Sequence, residues 1–125
     1  PLMQAIALRN LTVLRVHVDA GASLGTINHH QHNILHTVAS HPHVDIIKYL
    51  ADQDLSNVDS QHQDVRQLTP LGWLDYLLRA EEWEIIYDIK RTDPSVQEAF
   101  IVFYFNLLIR DLSHHISTLQ EFFGR

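Results

Sequence analysis

Asn33-Ile34-Leu35-His36-Thr37-Val38-Ala39, followed by Pro42-His43-Val44-Asp45-Ile46-Ile47-Lys48-Tyr49-Leu50-Ala51, decides how this chain is read. The first stretch is short and apolar, with an asparagine ahead of it whose side-chain oxygen can accept from the orphan N–H groups of a first helical turn. The second opens at Pro42 and carries Val44, Ile46, Ile47, Tyr49 and Leu50 at helical spacing. Together they predict two short helices with polar segments on either side.

The pair recurs upstream at a separation of 33 residues. Leu2, Ala5, Val13, Leu14, Arg15, Val16, Asp19 and Ser23 return as Leu35, Val38, Ile46, Ile47, Lys48, Tyr49, Asp52 and Ser56, and His29 returns as His62. A period of this size belongs to solenoid units of two helices and a loop, which bury a core by stacking on their neighbours. In the first unit, Pro1 opens a helix to Leu8. Thr12 to Val18 forms the second helix, with Val13, Leu14 and Val16 expected to face the stack. Gly21 is free to take the left-handed conformation that ends it. Residues 22–33 and 52–67 are polar loops.

Downstream, Thr69-Pro70-Leu71 predicts a third start: an N-cap, a proline at the first helical position, then a core residue. Pro70 lies 36 residues after Ile34, so the loop before it holds three extra residues. Helices are expected over 70–80 and 83–91, the latter carrying Trp83, Ile85, Ile86 and Ile89. Asp93-Pro94-Ser95 then begins an apolar helical segment through Phe100, Tyr104, Leu107, Leu108, Leu112, Ile116, Leu119 and Phe123. It is one helix, or two with a break near Asp111, and Ser95 with Glu98 offers a capping box. No segment alternates as a half-buried strand would, so the expected fold is all-α. Leu35, Ile47, Leu71 and Ile86 are expected in the core.

These units resemble ankyrin repeats, whose motif is Thr-Pro-Leu-His-x-Ala-Ala, a second helix rich in paired aliphatics, then Gly-Ala and a hairpin finger. Asn33 to Ala39 matches the motif conservatively, Thr69-Pro70-Leu71 matches its first three residues, and Gly21-Ala22 matches the turn. The resemblance covers roughly residues 1–91. Gly72 stands where the motif has histidine, Asp75 where it has a small residue, and Asp54-Leu55 in place of Gly-Ala. It implies a solenoid of about three helix pairs; residues 92–125 have no counterpart in the family pattern and are expected as an atypical C-terminal helical cap, the length gives a single domain, and an opening at Pro1 in mid-repeat gives the expectation of a piece of a longer repeat protein. It also implies that His36 bonds backbone in the adjoining turn, that partners are proteins or peptides, and that the compartment is intracellular, cytoplasmic or nuclear.

Composition narrows the alternatives. A chain of 125 residues can bury roughly two-thirds of its unfolded surface without a staple. The absence of cysteine removes a disulfide framework, a thiolate zinc site and a thiol nucleophile. Nine Lys and Arg spread along a chain of net charge −6 offer no cationic cluster for nucleic acid. The longest apolar run, 99–105, is far too short to span a membrane, so a soluble protein is expected.

Ten histidines are the unusual feature, with His29, His30, His32, His36, His41 and His43 close together. Imidazole is a common metal ligand and a proton acceptor near neutrality. Solvated loop-tip histidines and a structural His36 account for the cluster more simply, and no metal or other cofactor is expected. Asp75, on an apolar helix, is the best candidate for a perturbed carboxylate, with Arg79 at i+4 as its ordinary partner. No arrangement of nucleophile, base and orienting group suggests an enzyme.

The expected function is therefore a non-catalytic protein-interaction scaffold. Candidate contact residues are His29, His30, Gln31, His32, Gln61, Gln63, Asp64 and Arg66 at the loop tips, and Trp73, Asp75 and Tyr76 on a helix face. The alternatives are self-association through the aromatic C-terminal helix, along a stripe Ile101, Phe105, Leu108 and Leu112, and a histidine-dependent metal site. A monomer is expected unless that stripe pairs.

Overall fold

The structure, a computed structural model, describes residues 2–79 and 93–123. Those residues form helices and loops only: α1 (Leu2–Ala7), α2 (Leu11–Asp19), α3 (Ile34–Ser40), α4 (Val44–Ala51), α5 (Pro70–Arg79) and α6 (Pro94–Phe123). The helix expected over 83–91, with Ile86, and the acidic run Glu81, Glu82 and Glu84 lie outside the described residues.

Each start and stop has a local cause. Asn10 Oδ1 accepts from Val13 N (3.1 Å) and caps α2. Asn33 does the same for Leu35 and His36, and the His36 ring accepts from Asn33 N (3.2 Å), which completes a reciprocal capping box. Thr69 Oγ1 accepts from Gly72 N (3.2 Å) at the start of α5. The helix after Pro42 begins two residues later than expected, because His43 is still extended (φ −145°, ψ 126°). At α6 the cap is Asp93, which accepts from Ser95 N and Oγ (both 2.9 Å), so Ser95 lies inside the helix and does not open a box with Glu98. Helices α1 and α2 stop alike. Arg9 (φ 55°) and Gly21 (φ 94°) take the left-handed position, and the N–H groups of Asn10 and Ala22 reach back to Ala5 O and His17 O.

Helices α1, α3 and α5 form a row, with α1 against α3 and α3 against α5, while α6 lies on α4 and α3. Leu2, Ala5, Ile6, Leu14, Ile34, Leu35, Val38, Ile46, Ile47, Leu50, Leu74 and Leu77 make the core. Leu71 is half-buried at its margin. On α2 the face turned inward is Leu11, Leu14 and Val18, one side of a 3.6-residue helix. Val13 and Val16 lie off that side and are 39 % and 61 % exposed, contrary to expectation.

Helix α6 is unbroken at Asp111. Phe100, Phe103, Tyr104 and Leu107 bury against the core, and polar side chains fasten the helix to loop 52–69. Tyr104 Oη donates to Ser60 O (2.7 Å). Asp111 Oδ2 accepts from Ser60 Oγ (2.6 Å) and N (3.2 Å). Arg110 donates to Leu55 O and Val58 O (3.1 Å each) and pairs with Asp111 at 2.7 Å. No helix among the described residues is long and apolar enough to cross a membrane.

Candidate functional site

Loops 20–33 and 52–69 end in the same tight turn built twice. In the first, Asn28 N donates to His32 O (3.0 Å) and Gln31 N to Asn28 O (2.9 Å), while Asn28 Oδ1 accepts from the N–H groups of His30 and His32. In the second, Asp64 N donates to Leu68 O (3.0 Å) and Gln67 N to Asp64 O (2.9 Å), while Asp64 Oδ1 accepts from Arg66 and Leu68. Gln31 (φ 63°) and Gln67 (φ 65°) occupy equivalent left-handed positions. The turn is an Asx turn, which is why its first residue is Asn or Asp. The offset between the two is 36, so Val65 is the counterpart of His29, and the 33-residue match of His29 with His62 is corrected. The three extra residues sit between Ser56 and Asp64, upstream of the tip.

The two turns are fastened side by side. Val65 N donates to His30 O (3.2 Å). His32 Nε2 meets Asp64 Oδ2 at 3.1 Å, Asn33 Nδ2 donates to Asp59 O (2.9 Å), and His36 Nε2 lies 2.9 Å from Leu68 O. Because the other His36 nitrogen accepts from Asn33 N, the ring is the neutral tautomer with its proton on Nε2. Nearer the base, a Cβ on Gly25 would come within 2.8 Å of Asn57 O, so the second loop lies directly on a residue without a side chain.

From the tips, a column of stacked groups runs into the protein. The Arg66 guanidinium lies over Tyr76 (5.3 Å), Tyr76 stacks on Trp73 (5.7 Å), Trp73 meets His32 (4.7 Å), and His32 lies parallel to His36 (4.8 Å). Trp73 Nε1 donates to Ser40 Oγ (2.6 Å). Loop tips and helix face, expected as two separate candidate surfaces, are thus one continuous array.

Within this array the candidate residues divide. His29, His30, Gln31 and Arg66 are exposed on the tip surface, joined by Val65 and Gln67, whereas Gln61 and Gln63, expected there, are exposed upstream of the second turn. Tyr76 is half-buried at its edge. Asp75 is exposed and pairs with Arg79 (3.1 Å). Trp73 is buried (4 % exposed), and so is Asp64 (6 %), whose carboxylate is consumed by its own turn and by His32. His32, half-buried, is the support beneath the tip rather than part of its outer surface. Val65 and Gln67 were missed in the sequence. The signal that marks them is the recurrence of an Asx residue at the same 36-residue offset as Ile34 and Pro70.

Electrostatics in the column follow burial. Removal from water pushes the His36 imidazolium pKa down to about 4, against a partial offset from the Leu68 carbonyl. Burial lowers His32 as well, with Asp64 opposing it. Burial raises Asp64, but N–H donation from Leu68 and Arg66 outweighs this and holds the carboxyl below its usual range. At neutral pH the support is therefore a neutral imidazole pair beside one carboxylate. Among the described residues no group of three or more His, Asp or Glu side chains is placed to hold a metal ion. The chain matches no protein-family model, no curated protein sequence and no solved structure.

Proposed function

We propose that this chain is a non-catalytic interaction module, an intracellular ankyrin-like helical-repeat scaffold that binds a protein or peptide across its paired loop tips. The observation that supports this most is the duplicated Asx turn. Two loops converge on one conformation and are bridged by hydrogen bonds, so His29, His30, Val65 and Arg66 form a single surface that is ordered before any partner arrives. A preorganised surface loses little side-chain and loop entropy on binding. Arg66 and Tyr76 supply the guanidinium and aromatic groups that dominate binding energy in protein interfaces. The row of first helices, α1, α3 and α5, supports the repeat-scaffold reading.

The test is selection of a displayed random-peptide library on the purified protein, followed by titration of enriched peptides against His29→Ser/His30→Ser/Arg66→Ser. All three side chains are exposed, so the variant keeps its thermal melt. Peptides enriched on the parent are expected to lose at least tenfold in affinity for it. Failure to enrich any sequence, or peptides that bind both proteins equally, would remove the tip surface as the binding site.

A further inference from the structure

Helix α6 has two sides with different fates. Phe100, Phe103, Tyr104 and Leu107 bury against the core, and Asp111 continues that side onto Ser60. From Leu112 to Phe123 every residue is exposed, so the last three turns project beyond the folded body. Most helical stability in proteins comes from packing of an apolar face, and these turns receive none from the body.

The opposite side carries a second apolar row. Val102, Ile109, Ile116 and Phe123 alternate with Phe105, Leu112 and Leu119, at spacings of three, four, three, four, three and four. All seven are exposed, from 39 % at Phe105 to 78 % at Phe123. This is a heptad seam over three heptads, with the first set at a and the second at d. At about 100° per residue, the buried positions b, c and f are centred roughly 180° from the a/d seam. The body therefore sits on the back of the seam and reaches one flank, where Ile101 and Leu108 at g, expected on the open stripe, are partly buried against the core, while the a and d side chains stay exposed. A strict 3.5-residue repeat suits another helix wound around this one with a left-handed twist.

The geometry points to a second copy of this chain as the occupant, forming a parallel, in-register, two-stranded coiled coil along residues 102–123. Three a positions are β-branched (Val102, Ile109, Ile116) and two of three d positions are leucine (Leu112, Leu119), the combination that favours two parallel strands. The charged residues of the segment, Arg110, Asp111 and Glu121, fall at b, c and f, off the seam. The flanking e and g positions include Asn106, Ser113, His115 and Gln120 and hold no Asp, Glu, Lys or Arg. Charges at e and g are what select a different partner chain, so this seam carries no such code and suits its own copy. The seven seam side chains form one contiguous exposed apolar strip along three heptads, the kind of patch that marks an interaction surface. Such a dimer carries two tip surfaces, although the inference does not depend on what they bind.

The chain has no cysteine, so one introduced thiol reports on pairing cleanly. In a parallel dimer Leu119 meets Leu119 of the other copy. Leu119→Cys is expected to give a disulfide-linked dimer on mild oxidation, while Glu121→Cys, at f, stays unlinked. Sedimentation equilibrium of the unmodified chain should give twice the chain mass, and Ile116→Asp/Leu119→Asp, altering only exposed positions beyond the body, should give the monomer mass with the body's melt retained. A single-chain mass at all concentrations to 100 µM overturns the proposal, as does a dimer that survives the double substitution. A dimer in which Leu119→Cys fails to link, or links no better than Glu121→Cys, overturns the parallel register.

Discussion

His36 concentrates several demands in one side chain. It completes the capping box of α3, it ties that helix to the second loop at Leu68, and it lies fully buried at the foot of the stacked column. Only the neutral ring can do all of this, because its Nδ1 must accept. Its folded-state pKa of about 4 lies below the unfolded 6.5, so the folded state resists the proton that the unfolded state accepts. The stabilisation is complete above pH 6.5 and is lost as pH falls toward 4, by about 3 kcal/mol for a shift of this size. His32 and His41, also lowered by burial, act in the same direction. Urea melts between pH 7.5 and 4 should show this loss, with a shallower slope in His36→Gln. Equal slopes would assign the pH dependence to other groups.

Two backbone positions make a complementary residue-scale pair. Arg9 holds a left-handed conformation (φ 55°) that costs a non-glycine residue about 1 kcal/mol. Arg9→Gly removes that strain at some cost in unfolded-chain entropy and should raise stability by up to about 1 kcal/mol. Gly25→Ala should do the reverse, because its Cβ would lie 2.8 Å from Asn57 O and must push the second loop away. A loss of about 1–3 kcal/mol is expected from that overpacking. Thermal melts of the two variants should move in opposite directions.

At the scale of elements, α3 is the hub, touching α1, α5 and α6. Leu35 is fully buried on it, so Leu35→Ala should cost about 2–5 kcal/mol through lost burial and a residual cavity. His29→Ala on the exposed tip should stay within about 0.5 kcal/mol. Denaturant midpoints that shift equally would contradict the division into support and surface. Helix α6 is the element whose role was least visible beforehand. It acts as a clamp, because Arg110, Asp111 and Tyr104 satisfy four backbone groups of the second loop, at Leu55, Val58 and Ser60. Asp111→Ala leaves Ser60 N without its acceptor, and a buried orphan donor costs about 1–3 kcal/mol. Hydrogen exchange should show the amides of 55–60 losing protection in that variant before those of α3.

For the whole molecule, the short helices α1 to α5 and the long α6 divide the work. The helix row sets the spacing of the loops, the bridges between loops lock their tips, and the clamp holds the longer loop's base. Each layer leaves the next with fewer conformations. The tip variant described above should therefore alter recognition without altering the melt, while Asp111→Ala should alter the melt.

The existence of the six described helices, the caps at Asn33 and Thr69, the left-handed Gly21 and the three-residue insertion were all legible in the sequence, because each rests on contacts within a few residues. So was the all-α class, since apolar periodicity is a property of neighbouring positions. Val13 and Val16 were misplaced for a related reason: matching two segments identifies equivalent positions, but only the packing of α1 on α2 decides which side of the helix is covered. The fate of Trp73, Asp64 and His32 was beyond the sequence. Each carries the same chemistry whether it faces solvent or a neighbour, and what faces it comes from a segment about 32 or 33 residues away. The clamp from Arg110 and Asp111 to residues 55–60 spans more than fifty positions. Hydrogen bonds of that reach leave no periodic trace in the chain, and tertiary structure alone decided them.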